Sequence, residues 1–202
     1  MNKMKSLYFL EALHLNVPEI LHYQGPEPND ADALKLSHTL QAIQRHGGRI
    51  SIRTEKDGEF KSPFLPNSPI TDARQFLSSL EGKKYHILIT KGVPTNSIIR
   101  GNCVPTSHSN YFEYLTGNGT VRDIDEGGRS PHNLVLVWGQ FPTQLGSQTG
   151  SAIQMVNSYL FPKRFDVLNK IVEFSVFSKP VGIRQDKVIF WEVREYGGAP
   201  RI

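Results

Sequence analysis

Two acidic residues stand inside runs that otherwise read as buried strand. The stretches "IVEFSVFSKPVG" (171–182) and "KVIFWEVREYGG" (187–198) are rich in β-branched and aromatic residues, and each plants a glutamate inside its apolar run, Glu173 in the first and Glu192 in the second. Burying a carboxylate beside Phe, Trp and Val costs on the order of several kcal/mol unless it is paired or bound to a metal. An antiparallel hairpin with Phe177 opposite Val188 sets Glu173 opposite Glu192. The acids then share a face with Val188, Phe190 and Arg194, while Ile189, Trp191 and Val193 take the other. Any even shift of register keeps both acids on one face. Facing carboxylates repel each other across a sheet, and a divalent cation turns that repulsion into coordination, because Mg²⁺ takes one or two carboxylates plus substrate phosphates. Arg194 can neutralise one acid or hold a phosphate. An edge hairpin with both glutamates in water, beside Arg184 or Arg194, satisfies the same pattern, and for an isolated pair it is the commoner arrangement.

The elements that would position these residues follow from periodicity and punctuation. Apolar positions at Leu7, Leu10, Ala12, Leu13 and Leu15 predict a short amphipathic helix over 3–15. A strand entered through Pro18 covers 16–23, and the turn-rich "QGPEPND" leads into a helix over 32–46 capped by Asp30 or Asp32. Alternation in "ISIRTE" predicts a strand, and "SPFLPNSP" (62–69) reads as a proline-punctuated loop. Thr71 or Asp72 caps the next helix, and "YHILIT" is a strand. "RGNCVPT", "NYFEYLTGNG" and "HNLVLVWGQ" are further strands, and "GSAIQMVNSYLFPKRFDVL" contains a helix before the closing hairpin. The order is mixed α and β, without internal repeats.

Composition narrows the class. A chain of 202 residues with 38% hydrophobic and 21% charged residues is an ordinary soluble globular protein of one domain. A net charge of +4, spread along the chain, weakly favours an anionic partner such as a nucleotide, phosphate or nucleic acid. The single Cys103 excludes an internal disulfide and a cysteine-rich zinc site, and it reads as a buried bystander. No apolar run approaches the ~20 residues of a membrane span, and the basic N-terminus lacks a cleavage site, so a cytoplasmic protein is expected. The loop "LTGNGTVRDIDEGGR" (115–129) has glycines that permit close phosphate approach, yet a hairpin turn is its simpler account. In "HGGR" (46–49) a helix stop explains the glycines.

The order of motifs along nearly the whole chain resembles the ATP-grasp nucleotide-binding fold, and in particular the ATP-binding domain of phosphoenolpyruvate synthase and pyruvate phosphate dikinase. "KMKSLYFLEALHLNVPE" gives Lys3, Leu7, Leu10 and Val17-Pro18, like that family's lysine-initiated helix followed by a valine-proline strand. "ISIRTE" is similar to its phosphate-reaching arginine strand, and "ILITKGV" to its adenine-binding hinge, with Gly101 a few residues on. "YFEYLTGNG" is similar to its glutamate strand, and "IVEFS…WEVRE" to its magnesium-holding closing hairpin. Thr90 and Glu192 stand where the family carries glutamines.

The resemblance implies an α+β fold of two small lobes, about 1–89 and 90–202, with mainly antiparallel sheets around a nucleotide cleft. It implies ATP and Mg²⁺ as cofactors. Lys3 and Arg53 would contact phosphates, and Thr90, Lys91, Gly92 and Val93 would form the adenine strand. Glu173 and Glu192 would hold the metal, with Arg53 and Arg194 assisting phosphoryl transfer to an acceptor. Such an enzyme would be an ATP-dependent ligase or phosphotransferase. A non-catalytic nucleotide sensor or protein-interaction module on the same scaffold is the alternative. A nucleic-acid binder ranks third, since "KKYH", "PKRF" and "GIRQDK" lack aromatic-basic interleaving.

Overall fold

A computed structural model describes residues 3–18, 20–24, 49–55, 62–80, 85–91, 97–117 and 130–196, with isolated positions between 34 and 41. The chain divides into two compact units, Pro18–Val93 and the combination of Met1–Val17 with Pro94–Ile202. Residues 1–17 therefore group with the C-terminal half of the chain, whereas the sequence predicts lobes of 1–89 and 90–202. Among the described residues no helix is long and apolar enough to cross a membrane.

The Pro18–Val93 unit holds β1 (Ile20–Gln24), β2 (Ile50–Glu55), β3 (Phe64–Ser68), α2 (Ile70–Ser78) and β4 (His86–Lys91). The strands form a four-stranded antiparallel sheet in the order β1-β4-β2-β3. Alternation in β2 sends Ile50 and Ile52 into the core with Ile87 and Ile89 of β4. Ile70 and Ala73 of α2 cover this apolar face. The segment 62–69, expected to be a loop, contains β3. It is an edge strand with an irregular register against β2, and an edge or a bulge is where a strand tolerates Pro66, which has no N–H to donate. The α2 N-cap is Pro69 without a side-chain cap, so Thr71 and Asp72 lie inside the first turn rather than at the cap. There Asp72 complements the positive end of the helix dipole. Most of the helix expected over 32–46 lies outside the described residues, as do 118–129 and 42–48. Leu40 is described, and it is buried in the same core.

The second unit holds α1 (Lys3–Ala12), β5 (Ile99–Pro105), β6 (Ser109–Thr116), β7 (His132–Val137), α3 (Ser147–Leu160), β8 (Lys170–Val181) and β9 (Asp186–Glu195). Its five-stranded antiparallel sheet has the order β7-β6-β5-β8-β9. One face is apolar in register across every strand: Leu134, Phe112, Cys103, Val172 and Val193 are successive partners, and all are buried. The next row of that face carries Phe174 and Phe190, with Phe112 edge-on to Phe174 at 6.0 Å. Each such side chain contributes about 1.5–3 kcal/mol on burial. A one-residue slip would expose the whole set, so the apolar face fixes the register. In α3, Ile153, Val156 and Leu160 recur at helical spacing on the buried stripe.

Candidate functional site

The register that the apolar face imposes decides where the polar residues of the opposite face meet. Near the turn, β8 and β9 pair Val176 with Val188 and Phe174 with Phe190; the expected pairing of Phe177 with Val188 is off by one. Continued unchanged, that register would set Glu173 opposite Trp191 and split the two acids between faces. A β-bulge inserts Trp191 as an extra residue, and beyond it Glu173 pairs with Glu192 and Ile171 with Arg194. The face assignment is corrected with it. Val188, Phe190 and Val193 point to the core side, while Ile189, Glu192 and Arg194 share the other face with Glu173. Trp191 is anchored on that same face, where its indole Nε1–H donates to Ser175 Oγ at 2.9 Å.

A polar row consequently crosses all five strands, with Asn133, Glu113, Asn102, Glu173 and Glu192 as successive register partners. Lys3 joins it from α1, its Nζ 2.7 Å from Glu192 Oε2, with side chains 26% and 17% exposed. Helix spacing explains this contact. Ser6, one turn on, is fully buried and accepts a hydrogen bond at its Oγ from the Val193 N–H, while Leu7 and Leu10 bury the same helix side. The helix is thus held on β9 with Lys3 above Glu192. Asn16 secures the hairpin from below: its Nδ2 donates to Val181 O at 2.8 Å and Val188 O at 2.7 Å, and its Oδ1 accepts from Arg184 N–H at 2.8 Å.

Beside the carboxylate pair lies a concavity of about 280 Å³, lined by Asn102, Val104, Tyr111, Glu113, Ile171, Arg194 and Tyr196. Asn102 is only 6% exposed, and its Oδ1 has no hydrogen-bond partner. Asn102, Tyr111 and Glu113 are the residues that sequence reasoning missed as site residues. The available signal was a polar residue at alternate positions of two apolar strands, "RGNCV" and "YFEYL", but only strand pairing shows that both fall in one row. Cys103 lies on the opposite, core face; burial pushes its thiol far up, and it touches Val172 O at 3.5 Å. It is a packed bystander, not a nucleophile.

In the other unit, Thr90 pairs with Ser51 and Leu88 with Arg53, so Thr90 and Arg53 share the sheet face opposite the isoleucine core. Arg53 is half-buried and Thr90 buried. Lys91 ends β4, whereas Gly92 and Val93 lie outside the described residues.

The donor set at Glu173 and Glu192 suits a hard cation: two carboxylates, all oxygen, on one face. Among the described residues no group of three or more His, Cys, Asp or Glu could hold a metal ion. A metal here would therefore rely on this pair plus ligand and water oxygens, which is the habit of Mg²⁺ rather than Ca²⁺ or Zn²⁺.

The α+β architecture, with two antiparallel sheets and three helices among the described residues, is ATP-grasp-like. The chain superposes on D-alanyl-alanine synthetase A from Vibrio cholerae with a TM-score of 0.53 at 12% identity, over 100% of this chain and 57% of that one. Against the D-alanine-D-alanine ligase from Coxiella burnetii the TM-score is 0.53 at 11% identity, over 100% and 49%. The chain thus spans about half the length of these structures. No protein-family model matches it, and neither does any curated protein sequence. The narrower likeness to phosphoenolpyruvate synthase and pyruvate phosphate dikinase rests on the sequence motifs alone.

Proposed function

We propose that this protein binds ATP with Mg²⁺ and activates an acceptor by phosphoryl transfer, in the manner of an ATP-dependent ligase. The observation that carries this reading is the registered pair Glu173–Glu192, brought to one face by the Trp191 bulge and met by a lysine. Glu173 and Glu192 would hold the metal, which when bound neutralises phosphate charge and orients the transferred group. Lys3 would exchange Glu192 for a phosphate oxygen as the metal arrives, since an ammonium and Mg²⁺ compete for the same carboxylate. Arg53 would bind phosphate, with Thr90, Lys91, Gly92 and Val93 along the adenine edge. Arg194, on the face of the carboxylates, would stabilise charge developing on the transferred group.

One observation favours a second reading. Lys3 already neutralises Glu192 at 2.7 Å, which is how a metal-independent nucleotide sensor on the same scaffold would satisfy that acid. Thermal-shift titrations with ATP, ADP and GTP, each with and without Mg²⁺, separate the two. A shift requiring Mg²⁺ supports the enzyme, an equal shift without it supports the sensor, and no shift with any nucleotide removes both.

A further inference from the structure

The concavity on the five-stranded sheet brings together groups beyond those assigned to the metal and nucleotide, and shares only Arg194 with the phosphoryl-transfer reading. Its acidic end is Glu113 on β6, and its basic end is Arg194 on β9. Three strand spacings separate those strands, roughly 14 Å between backbones. Glu113 and Arg194 both line the concavity, whose volume of about 280 Å³ takes a small molecule. Val104 and Ile171 form an apolar floor between them. Midway, on β5, Asn102 is the register partner of Glu113, and its buried Oδ1 has no partner in the protein. An unpaired buried acceptor calls for a donor. Tyr111 spends its hydroxyl on Asn133 Oδ1 at 2.8 Å, so it presents its ring rather than a donor.

We propose that this concavity binds a small zwitterionic amino-carboxylate, the size of a free amino acid. Its ammonium would lie between the Glu113 carboxylate and Asn102 Oδ1, its carboxylate at the Arg194 guanidinium, and its aliphatic part on Val104 and Ile171. Glu113 argues against a polyanion, because it would face any second phosphate with like charge. All these residues belong to one compact unit, so the site is complete within it. As a binding site it stands without nucleotide; as the acceptor site it rests on the function proposed above.

Calorimetric titration of the full chain, with and without ADP and Mg²⁺, tests it. The probes are glycine, both alanine enantiomers, 2-aminobutyrate and aspartate, each beside its amide and its N-acetyl derivative. At least one zwitterion is expected to bind, with both blocked forms about ten-fold weaker or worse. Glu113→Gln and Asn102→Ala are each expected to weaken that zwitterion by about ten-fold, while melting and any Mg·ATP shift stay close to those of the parent chain. Absence of binding by every zwitterion at millimolar concentration, in both conditions, overturns the proposal. So does equal binding of an N-acetyl form, or unchanged affinity in folded Glu113→Gln. Should a zwitterion bind while Mg·ATP gives no shift, the site stands and the phosphoryl-transfer reading falls. The converse result removes the site alone.

Discussion

Replacing Glu192 with glutamine separates a ligand carboxylate from a structural one. In the metal-free protein the substitution has two opposing consequences. It removes the charge that Lys3 meets at 2.7 Å, where side chains 26% and 17% exposed place the pair between surface and interior, at about 1 kcal/mol. It also relieves the like-charge opposition to Glu173, its register partner, which is destabilising by about 0.2–1 kcal/mol. The two nearly cancel, and the glutamine side chain keeps an amide oxygen that accepts from Lys3. A net change below about 1 kcal/mol corresponds to a Tm shift within about 4 °C for a chain of this length. With Mg·ATP the balance is different. Ligand at about a hundred times its Kd stabilises the parent by about 2.7 kcal/mol, or roughly 5–10 °C. Glu192→Gln is expected to abolish the Mg²⁺-dependent part, because it deletes one of two charged ligands. Melting curves of both proteins, with ATP and with or without Mg²⁺, measure both quantities. A fall of more than about 10 °C in the metal-free variant, combined with an intact Mg·ATP response, would refute the reasoning and make Glu192 a structural partner of Lys3.

Arg53→Ala is expected to weaken ATP affinity about ten-fold while moving Tm by less than about 2 °C, since Arg53 lies off the isoleucine core; equilibrium binding beside a melting curve checks it. Asn16→Ala removes three side-chain hydrogen bonds that clamp the β8–β9 hairpin, one of them buried at the Val188 carbonyl and two part-buried at the Val181 carbonyl and the Arg184 N–H. A loss of about 2–4 kcal/mol in urea unfolding is expected, with amide exchange fastest at 181–190. Gly101→Ala drives a Cβ into the Glu113 carbonyl oxygen, so β5 and β6 must part. It should cost about 1–3 kcal/mol, judged by chemical unfolding, and disturb the concavity beside it. The Cys103 thiol, held protonated by burial, is expected to resist thiol reagents at about pH 8 until the protein unfolds; rapid labelling of the native chain would contradict its placement.

Local pattern in the sequence determined most of the elements. Ile50 and Ile52 alternating with Ser51 and Arg53, or Leu7 and Leu10 one helical face apart, carry their own periodicity, and periodicity is a property of neighbours along the chain. The opposition of Glu173 and Glu192 was expected from the sequence, but through a pairing of Phe177 with Val188 that the hairpin does not adopt. Tertiary structure decided the rest. The bulge at Trp191, which keeps the acids on one face after the turn shifts the register, follows from fitting Val188, Phe190 and Val193 to one core, and no local rule encodes it. Segment 62–69 became a strand because β2 offered an open edge that tolerates Pro66. Lys3 meets Glu192 across almost the whole length of the chain, and Asn102 meets Glu113 and Glu173 through pairings of three separate strands. Such contacts depend on which strands are neighbours, and strand order is set by the burial of the whole sheet rather than by any stretch within it.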